Sequence, residues 1–63
     1  MIKMFDVILY DFDREVCGVC AVKRIADAMA ITKCMGYAVD VVDEDTGEVL
    51  YSRVGDEVTY SIF

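Results

Sequence analysis

The chain has 63 residues, of which 57% are hydrophobic, and its 12 acidic and 6 basic residues give a net charge of −6. Direct binding of nucleic acid is not expected, because contacts to phosphates need a surplus of Lys and Arg, and no apolar run reaches the roughly 18 residues of a membrane span. A single domain (residues 1–63) of this size buries a thin core, so we expect this much apolar material to be covered by a partner or a second copy.

The first predicted element is a strand over residues 2–12, which is rich in β-branched and aromatic side chains. Apolar groups occupy both odd and even positions from Val7 to Tyr10, as in a strand that is covered on both faces. Residues 11–15 then combine turn-forming Asp with acids that suit the positive end of a helix dipole. We therefore expect a strand that leads through a turn into a helix.

One helix is predicted over residues 16–35, because apolar side chains recur there with helical spacing and Gly36 supplies a helix stop. Ile31 and Cys34 fall on the polar side of this helix. They form either an ordinary exposed strip or a self-association surface. The expected buried face consists of Ala21, Val22, Ile25, Ala28, Met29, Thr32 and Met35.

Three further strands are predicted over residues 37–42, 48–53 and 58–62, separated by turns that contain Gly47 and Gly55. The predicted fold is α+β with the order β-α-β-β-β. One helix packs on one face of a small mixed, mostly antiparallel sheet, and the last three strands form a meander. Because strand-helix-strand units cross over in a right-handed sense, the first strand should run parallel to the second, and also parallel to the fourth if it pairs there instead.

The sequence Cys17-Gly18-Val19-Cys20, between an apolar strand and a helix, resembles the opening of the glutaredoxin and thioredoxin family. The resemblance implies a thiol redox protein in which Cys17 is the nucleophile and Cys20 the resolving cysteine. The thiolate would be stabilised by the positive end of the helix dipole. The resemblance is confined to this segment, and the sequence has no proline, so it lacks the cis-proline of that family. Thiol redox chemistry is therefore the alternative function.

No metal or cofactor is expected. With no histidine and three cysteines, the chain lacks the ligands of a structural zinc site within one copy. Residues 43–48, DEDTGE, have the alternating acids and the glycine of a partial calcium loop, but the bidentate glutamate of an EF-hand is missing. A polar hairpin tip is the favoured interpretation. The odd number of cysteines, with no secretory segment, indicates reduced thiols and a cytoplasmic location.

The sequence also has no Gly-rich phosphate loop and no serine-centred motif, so we expect a binding protein and not an enzyme.

In the predicted topology the acidic turns gather at one pole, beside a sheet face that shows aromatic side chains. Such a surface suits docking on another protein, including one that binds nucleic acid. One form of such a binding protein is a phage or mobile-element inhibitor, such as an anti-CRISPR-like mimic of nucleic acid. We also expect the chain to form a homodimer. The partner-binding residues are predicted to be Asp11, Asp13, Glu15, Asp43, Glu44, Asp45, Glu48 and Tyr51, and the candidate aromatic residues of the face are Tyr10, Phe12, Tyr37, Tyr51 and Tyr60.

Overall fold

The computed structural model describes residues 3–34 and 37–63, which form one helix and a five-stranded sheet. The α+β class and the C-terminal three-strand meander are confirmed. No helix in this described part has the length and apolar content needed to cross a membrane. In chain order the elements are β1 (Phe5–Tyr10), β2 (Val16–Val22), α1 (Ile25–Cys34), β3 (Ala38–Asp43), β4 (Val49–Val54) and β5 (Glu57–Ser61).

The segment that was predicted to open the helix is strand β2. Val16, Val19 and Val22 are β-branched, and such side chains fit a pleated strand better than a helix. Gly18 also disfavours a helix, by about 1 kcal/mol relative to Ala. The predicted helix start near Val16 is therefore wrong, and α1 begins at Ile25.

The additional strand reverses the chain once more before β3, so β1 and β3 run antiparallel. Tyr10 at the end of β1 lies opposite Ala38, and Phe5 at its start lies opposite Asp43. The predicted parallel pairing, and with it the mixed character of the sheet, is wrong. The strand order is β2-β1-β3-β4-β5, every pair is antiparallel, and β2 and β5 form the two edges.

The helix packs on one face of the sheet. Ala28 and Thr32 are buried and Ile25 and Met29 are partly buried, as the helical spacing predicted. Ile31 was placed on the polar side, yet it also packs against the core, so the predicted free strip is corrected at this residue. The side chain of Cys34, together with Met35 and Gly36, lies outside the described residues. The core cluster consists of Phe5, Val7, Leu9, Ala28, Val39, Val41, Leu50 and Tyr51.

Arg53 of β4 connects the end of the helix to the sheet. Its Nη2 donates a hydrogen bond to the carbonyl oxygen of Thr32 at 2.7 Å, and its Nη1 donates to the carbonyl oxygen of Gly55. Carbonyls in the last turn of a helix have no partner within the helix and carry partial negative charge. The guanidinium therefore stabilises the C-terminal end of α1.

Candidate protein-docking surface

We call the sheet face opposite α1 the open face. In an antiparallel pair, directly opposed residues project to the same face. One row crosses all five strands of this face, because each residue in it lies opposite the next: Val19, Ile8, Asp40, Ser52 and Tyr60. The other residues of the open face, assigned by the same register, are Asp6, Tyr10, Val16, Ala21, Ala38, Val42, Val49, Val54 and Glu57.

A polar group occupies the middle of the open face. The Asp40 carboxylate accepts a hydrogen bond from the Ser52 hydroxyl at 2.6 Å and from the Tyr10 hydroxyl at 3.2 Å. Partial burial, followed by the charge of Asp40 and this hydrogen bond, raises the pKa of Tyr10 above its ordinary value. The phenol is therefore neutral at physiological pH and remains a donor. Two hydroxyl groups thus hold a carboxylate in the face without a basic side chain.

The charge of the open face is entirely acidic. Its charged residues are Asp6, Asp40 and Glu57, and no Lys or Arg is found among the described strand residues that the register assigns to it. Glu44 lies beside Asp6 at one end of the face, and repulsion from the Asp6 carboxylate, followed by partial desolvation, raises the pKa of Glu44 above its ordinary value. Because the first cause is a like charge, the shift indicates negative potential at this end. A cationic group is the natural complement of this face.

Apolar and aromatic side chains surround these acids. Val19 is 59% exposed and Tyr60 48% exposed, and both lie in the central row. Carboxylates interleaved with apolar and aromatic surface are typical of protein interfaces, where aromatic groups are enriched at the centre. Tyr60 was predicted for this face from the sequence, whereas Val19 and Asp40 were not. The position of Val19 depends on strand β2, which was not predicted, whereas that of Asp40 follows from the pairing of β3 with β1 and β4.

The predicted single acidic pole does not form. Because β1 and β3 are antiparallel, the turn of residues 11–15 and the turn of residues 43–48 lie at opposite ends of these strands. Strands of this length separate their ends by roughly 15 to 20 Å. The prediction that these turns gather together is therefore wrong. Asp11, Asp13 and Glu15 belong to the first turn, and Asp43, Glu44, Asp45 and Glu48 to the second.

Asp43 has a structural position. It is only 4% exposed, its carboxylate forms an ion pair with Lys3 at 2.9 Å, and it accepts hydrogen bonds from the backbone N–H groups of Asp45 and Thr46. The Lys3 contact, helped by these backbone donors, lowers the pKa of Asp43 below its ordinary value. Asp43 is thus committed to closing the hairpin and is not available to a partner, which corrects the prediction for this residue.

The hairpin interpretation of residues 43–48 agrees with the backbone. Gly47 has a φ of 75°, the left-handed conformation that glycine adopts without steric cost, and its N–H donates to the carbonyl oxygen of Asp43. Among the described residues, no group of three or more Cys, Asp or Glu side chains is placed to hold a metal ion. The segment is a polar turn.

The aromatic residues that were expected together divide into three positions. Tyr10 and Tyr60 lie on the open face. The rings of Phe12 and Tyr37 contact each other, with centroids 4.5 Å apart, near the β1–β2 turn. Tyr51 is 8% exposed and belongs to the core, so its predicted role in partner binding is wrong.

Cys17 and Cys20 are exposed free thiols on strand β2, not at the start of a helix. The predicted position of Cys17 at the N-terminus of a helix is therefore wrong. Residues three apart along a strand have Cα atoms separated by about 10 Å. A disulfide requires a Cα separation of roughly 4.4 to 6.8 Å. The strand would have to be distorted before these two cysteines could be joined.

Comparison with known proteins gives no match: no family model, no curated protein and no solved structure matches this chain. A function is therefore inferred from the surfaces described above.

Proposed function

We propose that this chain is a small, non-enzymatic binding module whose open face docks on a basic surface of another protein. The observation that supports the proposal is the composition of that face. It carries Asp40 at its centre, exposed apolar and aromatic groups around it, and no Lys or Arg among its described residues. The helix packs on the opposite side of the sheet, which leaves this face free to receive a partner.

The chemistry of the partner follows from the charge and the aromatic groups. Complementary potentials steer association and select a partner, and an Arg guanidinium both pairs with carboxylates and stacks on tyrosine rings. Proteins that bind nucleic acid present basic grooves to the phosphate backbone. A module with an acidic open face would occupy such a groove and exclude nucleic acid. A phage or mobile-element inhibitor of the anti-CRISPR type is one concrete form of this proposal.

A peptide probe tests the proposal before the natural partner is identified. We propose a fluorescently labelled peptide of alternating Arg and Ala residues, titrated with the protein and followed by fluorescence anisotropy. Asp40→Asn removes one charge from the centre of the open face and leaves an amide that can still bond Ser52 and Tyr10. Loss of one contact worth about 1 kcal/mol would weaken binding by roughly fivefold.

Asp27→Asn is the matched control, because it makes the same chemical change at an exposed position of α1. It should change the dissociation constant by less than about twofold, since most of its long-range effect is screened at physiological salt. If Asp27→Asn weakens binding as much as Asp40→Asn, the peptide responds only to net charge and the proposal fails. If the wild-type protein does not bind the peptide at low salt, the proposal also fails.

A further inference from the structure

Strand β2 forms one edge of the sheet, and its composition is unusual for an edge. Its seven residues, VCGVCAV, include no charged side chain and no proline. All of them are exposed except Gly18 and Val22, which are half-buried. An edge strand presents unpaired N–H and C=O groups to solvent, and proteins usually protect it with charges, proline, bulges or a covering element. Among these devices β2 has only a bulge.

The position of that bulge leaves most of β2 regular. The register with β1 skips Cys17, near the start of the strand, and continues without interruption over residues 18–22. On the other edge the register between β4 and β5 skips Thr59, the central residue of β5. A bulge twists the strand locally and disrupts further pairing. Of the two edges, β2 is therefore the better template for another strand.

The charges that flank β2 indicate which strand it receives. The turn before the strand, residues 11–15, carries three acids, Asp11, Asp13 and Glu15, against one basic residue, Arg14, and the basic residues Lys23 and Arg24 follow the strand. If a second copy pairs its own β2 antiparallel to the first, the acidic end of each copy lies beside the basic end of the other. Parallel pairing would instead place like charges together, which is destabilising across strands. The sequence of charges thus complements itself in the antiparallel arrangement.

We infer that two copies of this chain associate edge to edge through antiparallel pairing of their β2 strands, which joins the two sheets into one continuous ten-stranded sheet. The two copies are related by a two-fold axis perpendicular to the sheet, and this symmetry closes the assembly at a dimer. Both helices then lie on one face of the joined sheet and both open faces on the other. This inference does not rest on the proposed docking function, because it uses the unpaired backbone groups of the β2 edge and not the charge of the open face.

A pair of lysine substitutions tests the interface by light scattering coupled to size exclusion at about 50 μM, a concentration that populates a micromolar dimer. Val19→Lys places a charge at the middle residue of β2, whose side chain is 59% exposed, and in the antiparallel dimer this residue lies beside the same residue of the second copy. It should raise the dimer dissociation constant at least about tenfold, because like charges then meet across the two-fold axis. Val58→Lys, at a position 51% exposed on β5, is the matched control and should leave the dimer unchanged.

A charge-reversal cycle tests the antiparallel direction with exposed residues whose replacement does not disturb the core. Glu15→Lys alone and Lys23→Glu alone should each weaken the dimer by roughly three- to tenfold, since each places like charges together at both ends of the interface. The double variant restores opposite charges and should return to within about twofold of the wild-type value. Any of three results would overturn the inference. The wild-type protein could be a monomer at 50 μM, or Val58→Lys could weaken the dimer while Val19→Lys does not. The third is a double variant whose dimer is no tighter than that of the single variants.

Discussion

Asp43 shows how a single side chain contributes to the pH dependence of stability in this protein. Its carboxylate is buried against Lys3 and two backbone N–H groups, and its pKa in the folded chain lies below its ordinary value. A carboxyl group whose pKa is lowered by folding contributes stability above the unfolded pKa, and this contribution is lost as the pH falls through the folded pKa. Asp43→Asn should therefore lower the urea midpoint at pH 7. The difference from wild type should shrink as the pH falls below about 4, measured by circular dichroism.

The control for this prediction is Asp45→Asn in the same turn. Asp45 is exposed, and its backbone N–H, not its carboxylate, bonds Asp43. Its replacement should leave the urea midpoint at pH 7 almost unchanged, as is usual for surface substitutions. Equal losses for Asp43→Asn and Asp45→Asn would show that the general charge of the turn, and not the ion pair of Asp43 with Lys3, is responsible.

At the scale of elements, the junction between α1 and the sheet depends on Arg53. Its guanidinium bonds the carbonyl oxygens of Thr32 and Gly55, and so joins the last turn of the helix to the β4–β5 turn. Arg53→Ala would leave these carbonyls without their charged donor. Loss of hydrogen bonds to a charged group should destabilise the fold by about 1 to 3 kcal/mol, measured by urea unfolding.

The control is Arg24→Ala, at an exposed position before α1. It should lower the free energy of unfolding by less than about 0.5 kcal/mol in the same urea titration. Equal costs for the two variants would contradict the capping role.

Strands β1, β3, β4 and β5 were predictable because their signals are local. The alternation of Val39 and Val41 with Asp40, and glycines at the two C-terminal turns, were sufficient for the meander. Inside α1, the burial of Ala28 and Thr32 followed from helical spacing. These elements carry one consistent periodicity each, so tertiary contacts did not alter the prediction.

Strand β2 was not predicted because its residues also fit a helical wheel that continues into α1. Ala21 and Val22 fall on the same wheel sector as Ile25, yet they belong to a different element. The available signal was the valine content of Val16–Val22, which favours a strand. The consequences of this error were not local. One missed reversal inverted the direction of β1 relative to β3 and so moved one acidic turn to the opposite end of the sheet.

For the whole molecule, two surfaces are candidates for binding. The open face combines acids with aromatic groups, and the β2 edge offers unpaired backbone between complementary charges. Pairing through β2 would place two open faces side by side on one continuous sheet. A dimer could then bind two basic segments of one partner, and the second contact would benefit from a high effective concentration.

The central claim is that the open face is the docking surface, and a titration of the ¹⁵N-labelled protein with the Arg–Ala peptide tests it most directly by NMR. The claim predicts that amide shift changes concentrate in the central row, at Ile8, Asp40 and Tyr60, and that the amides of α1 stay in place. The changes should diminish as salt is raised from about 0.05 to 0.5 M, because screening weakens exposed charge contacts. Shift changes confined to the acidic turns at residues 11–15 and 43–48, or concentrated on α1, would contradict it.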